Sequence, residues 1–210
     1  MQSVTLKDRR SQTIARILKA ATREFSEAGF AGARVDEIAR SAGVNKATIY
    51  YHIGSKQALY SEVVHHLSGN TVEQLNRNLM TARSPEDKMK QFIQTVADLV
   101  DLHPEFAAIV LREQASGGKN FPEILAQDLA RILGLLTEIL DNGVTAGIFK
   151  KTEPLIIYLM IVGTIVFFKM SSPIRARFAP LAAPLKNLNN AVSGEVATEI
   201  EKIILNAVKK

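Results

Sequence analysis

A run of polar and aromatic side chains between positions 46 and 56 has the residue types that bind the phosphates and base edges of nucleic acids. The side chains of this run that carry a cation, a hydroxyl or an imidazole are Lys46, Thr48, Tyr50, Tyr51, His52 and Lys56. Such groups, together with helix N-termini, bind phosphate oxygens and the base edges in the grooves of DNA. The run therefore predicts nucleic-acid binding, provided that these side chains share one exposed surface.

Two short helices joined by a tight turn are predicted to position this run. The first helix has one apolar stripe at i, i+3, i+4 and i+7, formed by Val35, Ile38, Ala39 and Ala42. Gly43 ends that helix because a positive φ is easiest without a Cβ, and the Asn45 side chain can cap the next one. Ile49 then fills the angle between the two helices. This spacing is typical of a helix-turn-helix.

The same stretch resembles the TetR family of bacterial transcriptional regulators. The residues that carry the resemblance are Ile38-Ala39, Ala42-Gly43-Val44, Lys46, Thr48-Ile49-Tyr50-Tyr51-His52, Gly54-Ser55-Lys56 and Ala58-Leu59. The close match extends from Ile14 to about Tyr60, and beyond it only the helical layout is similar to the family. The resemblance implies a cytoplasmic homodimeric repressor that binds a palindromic double-stranded DNA operator and a small-molecule effector.

The resemblance also implies, position by position, which side chains bind the operator. Phosphate contacts would come from Tyr50, Tyr51, His52 and Lys56, and base contacts from Lys46, Ala47 and Thr48, next to the capping residue Asn45.

Three residues depart from the family pattern. Ala33 and Arg34 stand where the family usually has Ser or Thr, and Ile53 stands where it usually has Phe. Because Ala33 cannot cap, the first helix of the motif should be weaker by about 1 kcal/mol. Arg34 can take over a phosphate contact, and we interpret Ile53 as a conservative core change.

The positive charge of the chain is concentrated in the segment that contains the motif. The 210 residues carry a net charge of +5, and residues 1–56 hold 10 Lys and Arg against 5 Asp and Glu. The excess therefore lies where a polyanion would bind. Residues 1–12 are predicted to be a loose basic arm, either solvated or in contact with DNA. The predicted domains are a DNA-binding domain over 1–56 and a helical effector-binding and dimerisation domain over 57–210.

The sequence does not indicate other kinds of site. It has no cysteine, so we expect neither a disulfide framework nor a zinc-thiolate site. The four histidines, His52, His65, His66 and His103, are too scattered to suggest a metal site. There is no phosphate-binding glycine loop with its lysine and hydroxyl, and no grouping of nucleophile, base and acid. We therefore expect no metal, no cofactor and no enzymatic activity.

Apolar periodicity and helix stop signals predict nine helices and no strand, and hence an all-α fold. The first helix ends at Gly29, and a single long fourth helix is predicted from Lys56 to about Thr81. Later helices start at Pro85, Pro104 and Pro122. The helix that starts at Pro122 is apolar almost all round and is therefore predicted to be central. Residues 171–192 form a long connection that is either functional or partly helical.

A helix without any charge, Leu155 to Phe168, is followed at the end of the chain by another with a broad apolar face. The uncharged run has 14 residues, short of the roughly 20 that cross a bilayer, so we expect no membrane insertion. It should instead be covered by its own subunit on one side and by a second copy on the other. The predicted dimer interface consists of Leu155, Tyr158, Val162, Ile165, Ile200, Ile203, Ile204 and Ala207.

The helices between residues 85 and 140 contain the candidate effector pocket. Charged residues on largely apolar helices, such as Arg112, Glu113 and Arg131, are interpreted as solvent-facing or ion-paired, with a polar anchor in a ligand cavity as the alternative. The predicted pocket is lined by Phe92, Val96, Leu99, Phe106, Ile109, Val110, Arg112, Leu129, Ile132 and Leu136. Each of these is also compatible with plain core, so a second hypothesis is a DNA-binding dimer whose larger domain is purely structural.

Overall fold

The computed structural model describes residues 6–68, 71–181 and 191–210, and the prediction of an all-α fold is confirmed. The helices are α1 Leu6–Gly32, α2 Val35–Ala42, α3 Lys46–Ile53, α4 Lys56–Ser68, α5 Thr71–Thr81, α6 Pro85–Leu102, α7 Pro104–Ala115, α8 Glu123–Thr145, α9 Pro154–Tyr158, a π-helical turn Leu159–Gly163, α10 Thr164–Met170, α11 Ser172–Phe178 and α12 Glu195–Val208. Within the described ranges, β pairing is limited to an isolated bridge between Phe149 and Lys209.

The first helix begins earlier than the sequence predicted. Residues 6–12 are helical, so the prediction of a loose arm over 1–12 is wrong for this part, while residues 1–5 lie outside the described residues. The segment contains neither Gly nor Pro, and its Arg, Lys and Gln residues are good helix formers. α1 is interrupted at Gly29, whose φ of 68° lies outside the helical region.

The predicted fourth helix, from Lys56 to about Thr81, is helical over its described residues. α4 covers residues 56–68 and α5 covers residues 71–81, and residues 69–70 between them lie outside the described residues. Its continuity across residues 69–70 stays a prediction.

The helices form two compact units. The first unit comprises residues 1–69 and 108–126, and the second comprises residues 70–107 and 127–210. α7 and α8 are each unbroken and contribute residues to both units. The compact unit around the helix-turn-helix is thus larger than the predicted domain over 1–56, whose boundary stays a prediction.

An aromatic cluster forms the centre of the first unit. The Tyr60 ring lies 4.9 Å from Phe25 and 5.2 Å from Phe30, measured between ring centroids. Such pairs add about 0.5–1.5 kcal/mol beyond the area that they bury. Ile17 from α1 and Ile49 from α3 are also almost completely buried. The core therefore fixes α1 and α4 against the two helices of the motif.

A polar junction ties the end of α6 to the start of α12 in the second unit. The Asp101 carboxylate accepts hydrogen bonds from Lys169 Nζ at 2.6 Å, from the Val192 and Ser193 backbone N–H groups at 2.7 and 2.8 Å, and from the Ser193 hydroxyl at 2.7 Å. Burial, the largest single influence, acts to raise the pKa of this carboxyl, but these hydrogen bonds and the Lys169 charge together hold it below its usual value.

A tight turn after α8 brings the chain back to the end of α12. Phe149 is fully buried, and a Cβ placed on Gly143 would lie 2.0 Å from its ring. The Lys150 N–H donates to the Val208 carbonyl at 2.8 Å, and the Lys210 N–H donates to the Ile148 carbonyl at 3.2 Å. A residue without a side chain at position 143 is therefore required for this turn to close.

The α8 helix is less enclosed than predicted. Leu136, Ile139 and Leu140 are buried, but Leu129 is 37% exposed. The prediction that this helix is central because it is apolar almost all round therefore holds for one of its faces and not for the others in the single chain. Its apolar residues cover more than one face, and only one face is packed against the core.

A π-helical turn joins α9 to α10 in the uncharged segment. Ile157, Ile161 and Ile165, spaced four apart, are buried and mark its inner face. The following connection is partly helical, as α11 shows, and residues 182–190 lie outside the described residues. No single described helix is long and apolar enough to cross a membrane; residues 154–170 and 172–178 meet that criterion only as a pair, which is bent by 55°.

Candidate nucleic-acid interface

The turn between α2 and α3 has the geometry that the sequence predicted. Gly43 adopts φ 64° and ψ 40°, in the left-handed region, and its N–H points back to the carbonyls of Ala39 and Arg40. The Asn45 side-chain oxygen accepts hydrogen bonds from the Thr48 N–H at 2.7 Å and from the Thr48 hydroxyl at 2.8 Å. Gly43 as the end of the first helix and Asn45 as the cap of the second are both confirmed.

The start of α2 has no side-chain cap, as expected from Ala33 and Arg34. Arg34 is the N-cap residue with extended backbone, and it makes no capping hydrogen bond through its side chain. The Glu24 carboxylate of α1 accepts the Arg34 N–H at 3.0 Å instead. Asp36 in the first turn adds a negative charge that the helix dipole favours. A neighbouring helix thus satisfies the N–H of the N-cap residue itself, which is not the group that a serine or threonine cap would bond.

One side of α3 faces outward and carries the predicted DNA-binding residues. Ile49 is 1% exposed, whereas Tyr50 and Tyr51 are 43% and 83% exposed. Exposed positions in and next to this helix also include Arg34, Asn45, Lys46 and Ala47, while Thr48, His52 and Lys56 are half-buried. Most of these residues therefore lie on α3 or at its N-terminus, while Arg34 precedes α2 and Lys56 begins α4. Their individual contacts with DNA stay predictions.

The ammonium of Lys46 is paired with a carboxylate of α2. Lys46 Nζ lies 3.0 Å from Asp36 Oδ2, and the two side chains are 46% and 59% exposed. The hydrogen bond to Asp36, and then the charge of that carboxylate, raise the pKa of Lys46. This pair was not predicted from the sequence. It depends on the angle between α2 and α3, and the apolar periodicity of each helix gives no information about that angle.

Lys56 lies against the aromatic cluster. Its Nζ is 4.8 Å from the centre of the Phe30 ring and 3.5 Å from the Ala31 carbonyl oxygen near the end of α1. The face of an aromatic ring and the C-terminal end of a helix both attract a cation. Lys56 therefore has a structural contact in addition to the phosphate contact predicted for it.

His52 is held by packing. Its Nδ1 is buried and has no hydrogen-bond partner within the described part of the chain. The ring lies edge-on to Tyr51, with 5.1 Å between ring centroids. A buried polar atom without a partner is unfavourable. The contacts of Nδ1 therefore give no structural reason for a histidine at position 52. A phosphate contact of His52 would use the other ring nitrogen, Nε2.

A buried carboxylate from α7 supports α4 inside the first unit. Glu113 is 3% exposed; its carboxylate accepts hydrogen bonds from the Tyr60 hydroxyl and from the Asn120 N–H, each at 3.2 Å. Burial, followed by the Glu113 charge and hydrogen bond, raises the pKa of Tyr60, so the phenol remains the donor. Beside it, Arg112 Nε donates to the Ser26 carbonyl at 2.9 Å.

The interpretation of Glu113 as solvent-facing or ion-paired is therefore wrong. Its partners are a neutral phenol and a backbone N–H, and the phenol lies 53 positions away along the chain. No local pattern in the sequence signals such a contact.

The predicted effector-pocket residues are divided between the two units. Ile109, Val110 and Arg112 belong to the first unit, and the remaining residues of the set, Phe92, Val96, Leu99, Phe106, Leu129, Ile132 and Leu136, belong to the second. The pocket stays a prediction. A groove of about 140 Å³ in the second unit is formed by different residues, namely Asn76, Leu79, Met80, Lys88, Leu135, Glu138 and Ile139.

The predicted dimer interface is partly wrong. Ile165, Ile200 and Ile204 are buried within the single chain and have no surface to offer to a second copy. Both faces of the segment from α9 to α10 are apolar, so the sequence cannot tell them apart. On α12 most exposed residues are polar, and Ile203 is the large apolar exception. Leu155 and Ile203 are exposed, Tyr158, Val162 and Ala207 are half-buried, and the outer face also includes Ile156, Leu159, Met160 and Phe167.

Comparisons with known proteins agree with this architecture. Residues 17–63 match the family model described as bacterial regulatory proteins, tetR family. Residues 85–178 match the model described as tetracyclin repressor-like, C-terminal domain. The chain is 29% identical over 157 residues to the HTH-type transcriptional repressor NicS of Pseudomonas putida, a match that covers 72% of this chain and 73% of that protein.

Two solved structures share the fold. The ketosteroid transcriptional regulator KstR2 of Mycobacterium tuberculosis superimposes with a TM-score of 0.72 at 16% identity, covering 99% of this chain and 98% of that one. The transcriptional regulator FadR of Bacillus subtilis, in complex with stearoyl-CoA, gives a TM-score of 0.65 at 19% identity, covering 91% and 97%. The helix-turn-helix, the exposed α3 and the two family matches lead to one conclusion: this chain belongs to the TetR family and is a DNA-binding transcriptional regulator.

Proposed function

We propose that this regulator is a homodimeric repressor that binds a palindromic operator and leaves it when a small hydrophobic effector binds. The observation that carries the DNA-binding part is the outward side of α3, whose start is fixed by the Gly43 turn and the Asn45 cap. The similarity to a transcriptional repressor supports repression as the output. Operator DNA is in the bacterial cytoplasm, so the proposal places the protein there.

In this proposal α3 enters the major groove, which is wide enough to admit an α-helix. Base contacts come from Lys46, Ala47 and Thr48 at its N-terminal end. Phosphate contacts come from Arg34, Tyr50, Tyr51, His52 and Lys56. Binding should then weaken with salt, with the logarithm of the affinity falling by about 0.9 per neutralised phosphate for each unit of log salt concentration.

The exposed apolar face of α9, the π-helical turn, α10 and α12 supports the homodimer. Leu155, Leu159 and Ile203 are 47%, 52% and 54% exposed in the single chain. Large exposed apolar side chains on one helical segment, as from α9 to α10, are unfavourable in water and are typical of an interface. Two copies related by a two-fold axis would place their α3 helices about 34–36 Å apart, in successive major grooves of a palindrome.

The chemistry of the predicted pocket favours a hydrophobic effector. All of its residues except Arg112 are apolar or aromatic, as in most small-molecule sites. Two proteins of the same fold are described with large apolar compounds, one as a ketosteroid regulator and one in complex with stearoyl-CoA. We therefore propose an effector with a large apolar body, for which acyl thioesters and steroids are the first candidates.

We propose that the effector acts on DNA binding through α7. The sequence suggested one long helix over residues 56–81 as the connection, of which α4 and α5 cover residues 56–68 and 71–81, and α7 is a second candidate. The unbroken α7 starts in the second unit, and its end holds α4 through Glu113 and Tyr60 and holds α1 through Arg112 and Ser26. An effector that displaces α7 would loosen both attachments. Effector and operator then weaken each other by the same factor, typically about 1–3 kcal/mol.

The experiment starts with selection of an operator from a pool of random duplexes. Fluorescence anisotropy of the labelled operator is then followed while acyl-CoA thioesters and steroids are titrated. We expect at least one class to release the DNA, and Val96→Trp or Ala108→Phe, which fill the predicted pocket, to weaken operator binding without dissociating the dimer. Tyr60→Phe removes only the hydroxyl that Glu113 accepts from, and it should reduce the release by effector.

A purely structural second unit is the alternative. It would be favoured if a bound compound had the same affinity for the protein with and without saturating operator. Failure of the wild-type protein to select any DNA sequence would refute the proposed function as a whole.

A further inference from the structure

The pair between Asp36 and Lys46 places a carboxylate at the position where the proposed function requires base recognition. Lys46 is the first residue of α3 and Asp36 is the second residue of α2. Exposed ion pairs contribute little to stability, so this pair is not needed to hold the helices together. Its position beside the residue proposed to bind a base therefore requires another explanation.

We propose that Asp36 is a specificity-determining residue for DNA, because it prevents the Lys46 ammonium from binding phosphates on every sequence while leaving it able to bind a base. The inference rests on the proposed function and deepens it. Non-specific binding to DNA comes almost entirely from cations that neutralise phosphates. A cation whose charge is already balanced by a carboxylate contributes less to that binding.

A phosphate and a base edge respond differently to the carboxylate. A phosphate oxygen that approaches Lys46 carries a full negative charge and is repelled by Asp36, 3.0 Å from the ammonium. Guanine O6 and N7 carry only partial charges and are bound by Lys in the major groove. An ammonium has three N–H donors; one is used by Asp36 and two remain. A repulsive element against the wrong partner is how many proteins achieve specificity.

The backbone of the motif keeps the two side chains together. Gly43 and the Asn45 cap fix the end of α2 relative to the start of α3. Arg34, at the start of α2, is an exposed second cation whose charge acts on Lys46. Removing the charge of Asp36 should therefore leave Lys46 more available to the DNA backbone.

The test compares Asp36→Asn with the wild type on two probes, the selected operator and a random-sequence duplex, over a range of sodium chloride concentrations. Asn keeps the size of the side chain. For the random duplex, we expect the slope of log affinity against log salt to steepen by about 0.9 and the affinity at physiological salt to rise about fivefold, the effect of one added phosphate contact. The operator affinity should rise less, so the ratio of operator to random affinity falls.

Two controls separate this effect from a general change in charge. Glu27→Gln removes a charge of the same sign from α1, where Glu27 pairs with Arg23 at 2.9 Å, and it should leave the affinity ratio unchanged. Asp36→Asn in a Lys46→Met background should no longer steepen the slope, since the ammonium is absent. The melting temperature of Asp36→Asn should remain close to that of the wild type.

Other outcomes overturn the inference. An equal change in Glu27→Gln, or a steeper slope that persists in the Lys46→Met background, would show an effect of net charge alone. Loss of operator binding with unchanged random-duplex affinity would mean that Asp36 itself binds a base, such as the amino group of cytosine. If the wild type selects an operator and Asp36→Asn has the same affinities and salt slopes as the wild type, only this inference is refuted. If the wild type selects no operator, the proposed function is refuted.

Discussion

At the scale of single residues, the cations of the first unit differ in how their charges are held. Lys46 is paired with Asp36, Lys56 lies on the Phe30 ring, and Arg34 is exposed at the start of α2. The same formal charge therefore has three different environments. Loss of each should affect stability, non-specific affinity and specificity in different proportions.

Replacing Lys56 with Met should lower both stability and DNA affinity. Met preserves much of the apolar stem but loses the cation over the ring, a contact worth about 0.5–1 kcal/mol at an exposed site. If Lys56 also contacts one phosphate, the salt dependence of operator affinity becomes flatter by about 0.9. Urea denaturation and anisotropy at several salt concentrations measure the two effects. Lys19→Met, at an exposed lysine of α1, is the control, and equal changes in both variants would contradict the prediction.

The residues whose roles depend on their neighbours in sequence could be predicted. Gly43 and Asn45 act within four positions of the groups that they bind, so turn and capping preferences were sufficient. Glu113 could not be predicted, because its partner Tyr60 is 53 positions away and a charged residue on an apolar helix is usually exposed. The Asp36–Lys46 pair was missed for the related reason that it joins two different helices.

At the scale of helices, α8 contains two glycines with opposite requirements. A methyl group added at Gly134 would meet no atom from the rest of the fold within 4 Å, whereas the same group on Gly143 would lie 2.0 Å from the Phe149 ring. Gly134 therefore only weakens the helix through its backbone freedom. Gly143 makes room for the turn that leads from α8 back to the end of α12.

Alanine at these two positions should change stability in opposite directions. Gly134→Ala should raise the free energy of unfolding by up to about 1 kcal/mol, because alanine is favoured in helices. Gly143→Ala should lower it by about 1–3 kcal/mol, because the added methyl group overpacks a buried ring. Urea denaturation of both variants is the measurement. A stabilised Gly143→Ala protein would show that Phe149 does not lie against α8.

The junction at Asp101 should make stability depend on acid pH. The pKa of this carboxyl is lower in the folded chain than its ordinary 3.8, so its contribution is present above that value and is lost as the pH falls towards the folded pKa. Asp101→Asn should cost about 1–3 kcal/mol at neutral pH. It should also flatten the decrease in stability below about pH 4. Parallel acid dependence in wild type and variant would contradict the assignment, and Ser193→Ala should give a smaller loss.

Helix boundaries could be predicted where local signals marked them. Ser84-Pro85 starts α6 with a side-chain cap on the Asp87 N–H, and Pro104 starts α7. The inner and outer faces of α9 and α10 could not be distinguished, since both are apolar and only packing decides which residues are buried.

At the scale of the whole molecule, the outer face of α9 to α10 leaves several large apolar side chains exposed in the described part of a single chain. Leu159 is 52% exposed, whereas Ile165 on the inner face is 0% exposed. The two residues belong to the same helical segment and have similar size. A charge placed at either position should therefore show which face serves the subunit and which serves the proposed dimer.

Leu159→Glu should give a folded monomer that has lost its affinity for the full operator. A charge at an exposed position costs the subunit little but is unfavourable in an apolar interface. The monomer binds one half-site and lacks the second binding event of the dimer, which commonly adds about 10²- to 10⁴-fold in affinity. Sedimentation measures assembly and circular dichroism measures folding. Fluorescence anisotropy on the operator and on a half-site measures binding. Ile203→Glu, on α12, should behave in the same way.

Ile165→Glu is the matched control, and it should unfold the subunit rather than separate the dimer. Its side chain is completely buried in the single chain, so the carboxylate would lie in the core without a partner. A folded, monomeric Ile165→Glu would mean that the inner face is the interface. A Leu159→Glu protein that still sediments as a dimer and keeps full operator affinity would mean that the exposed apolar face does not hold two copies together, and that the half-sites are joined by another surface.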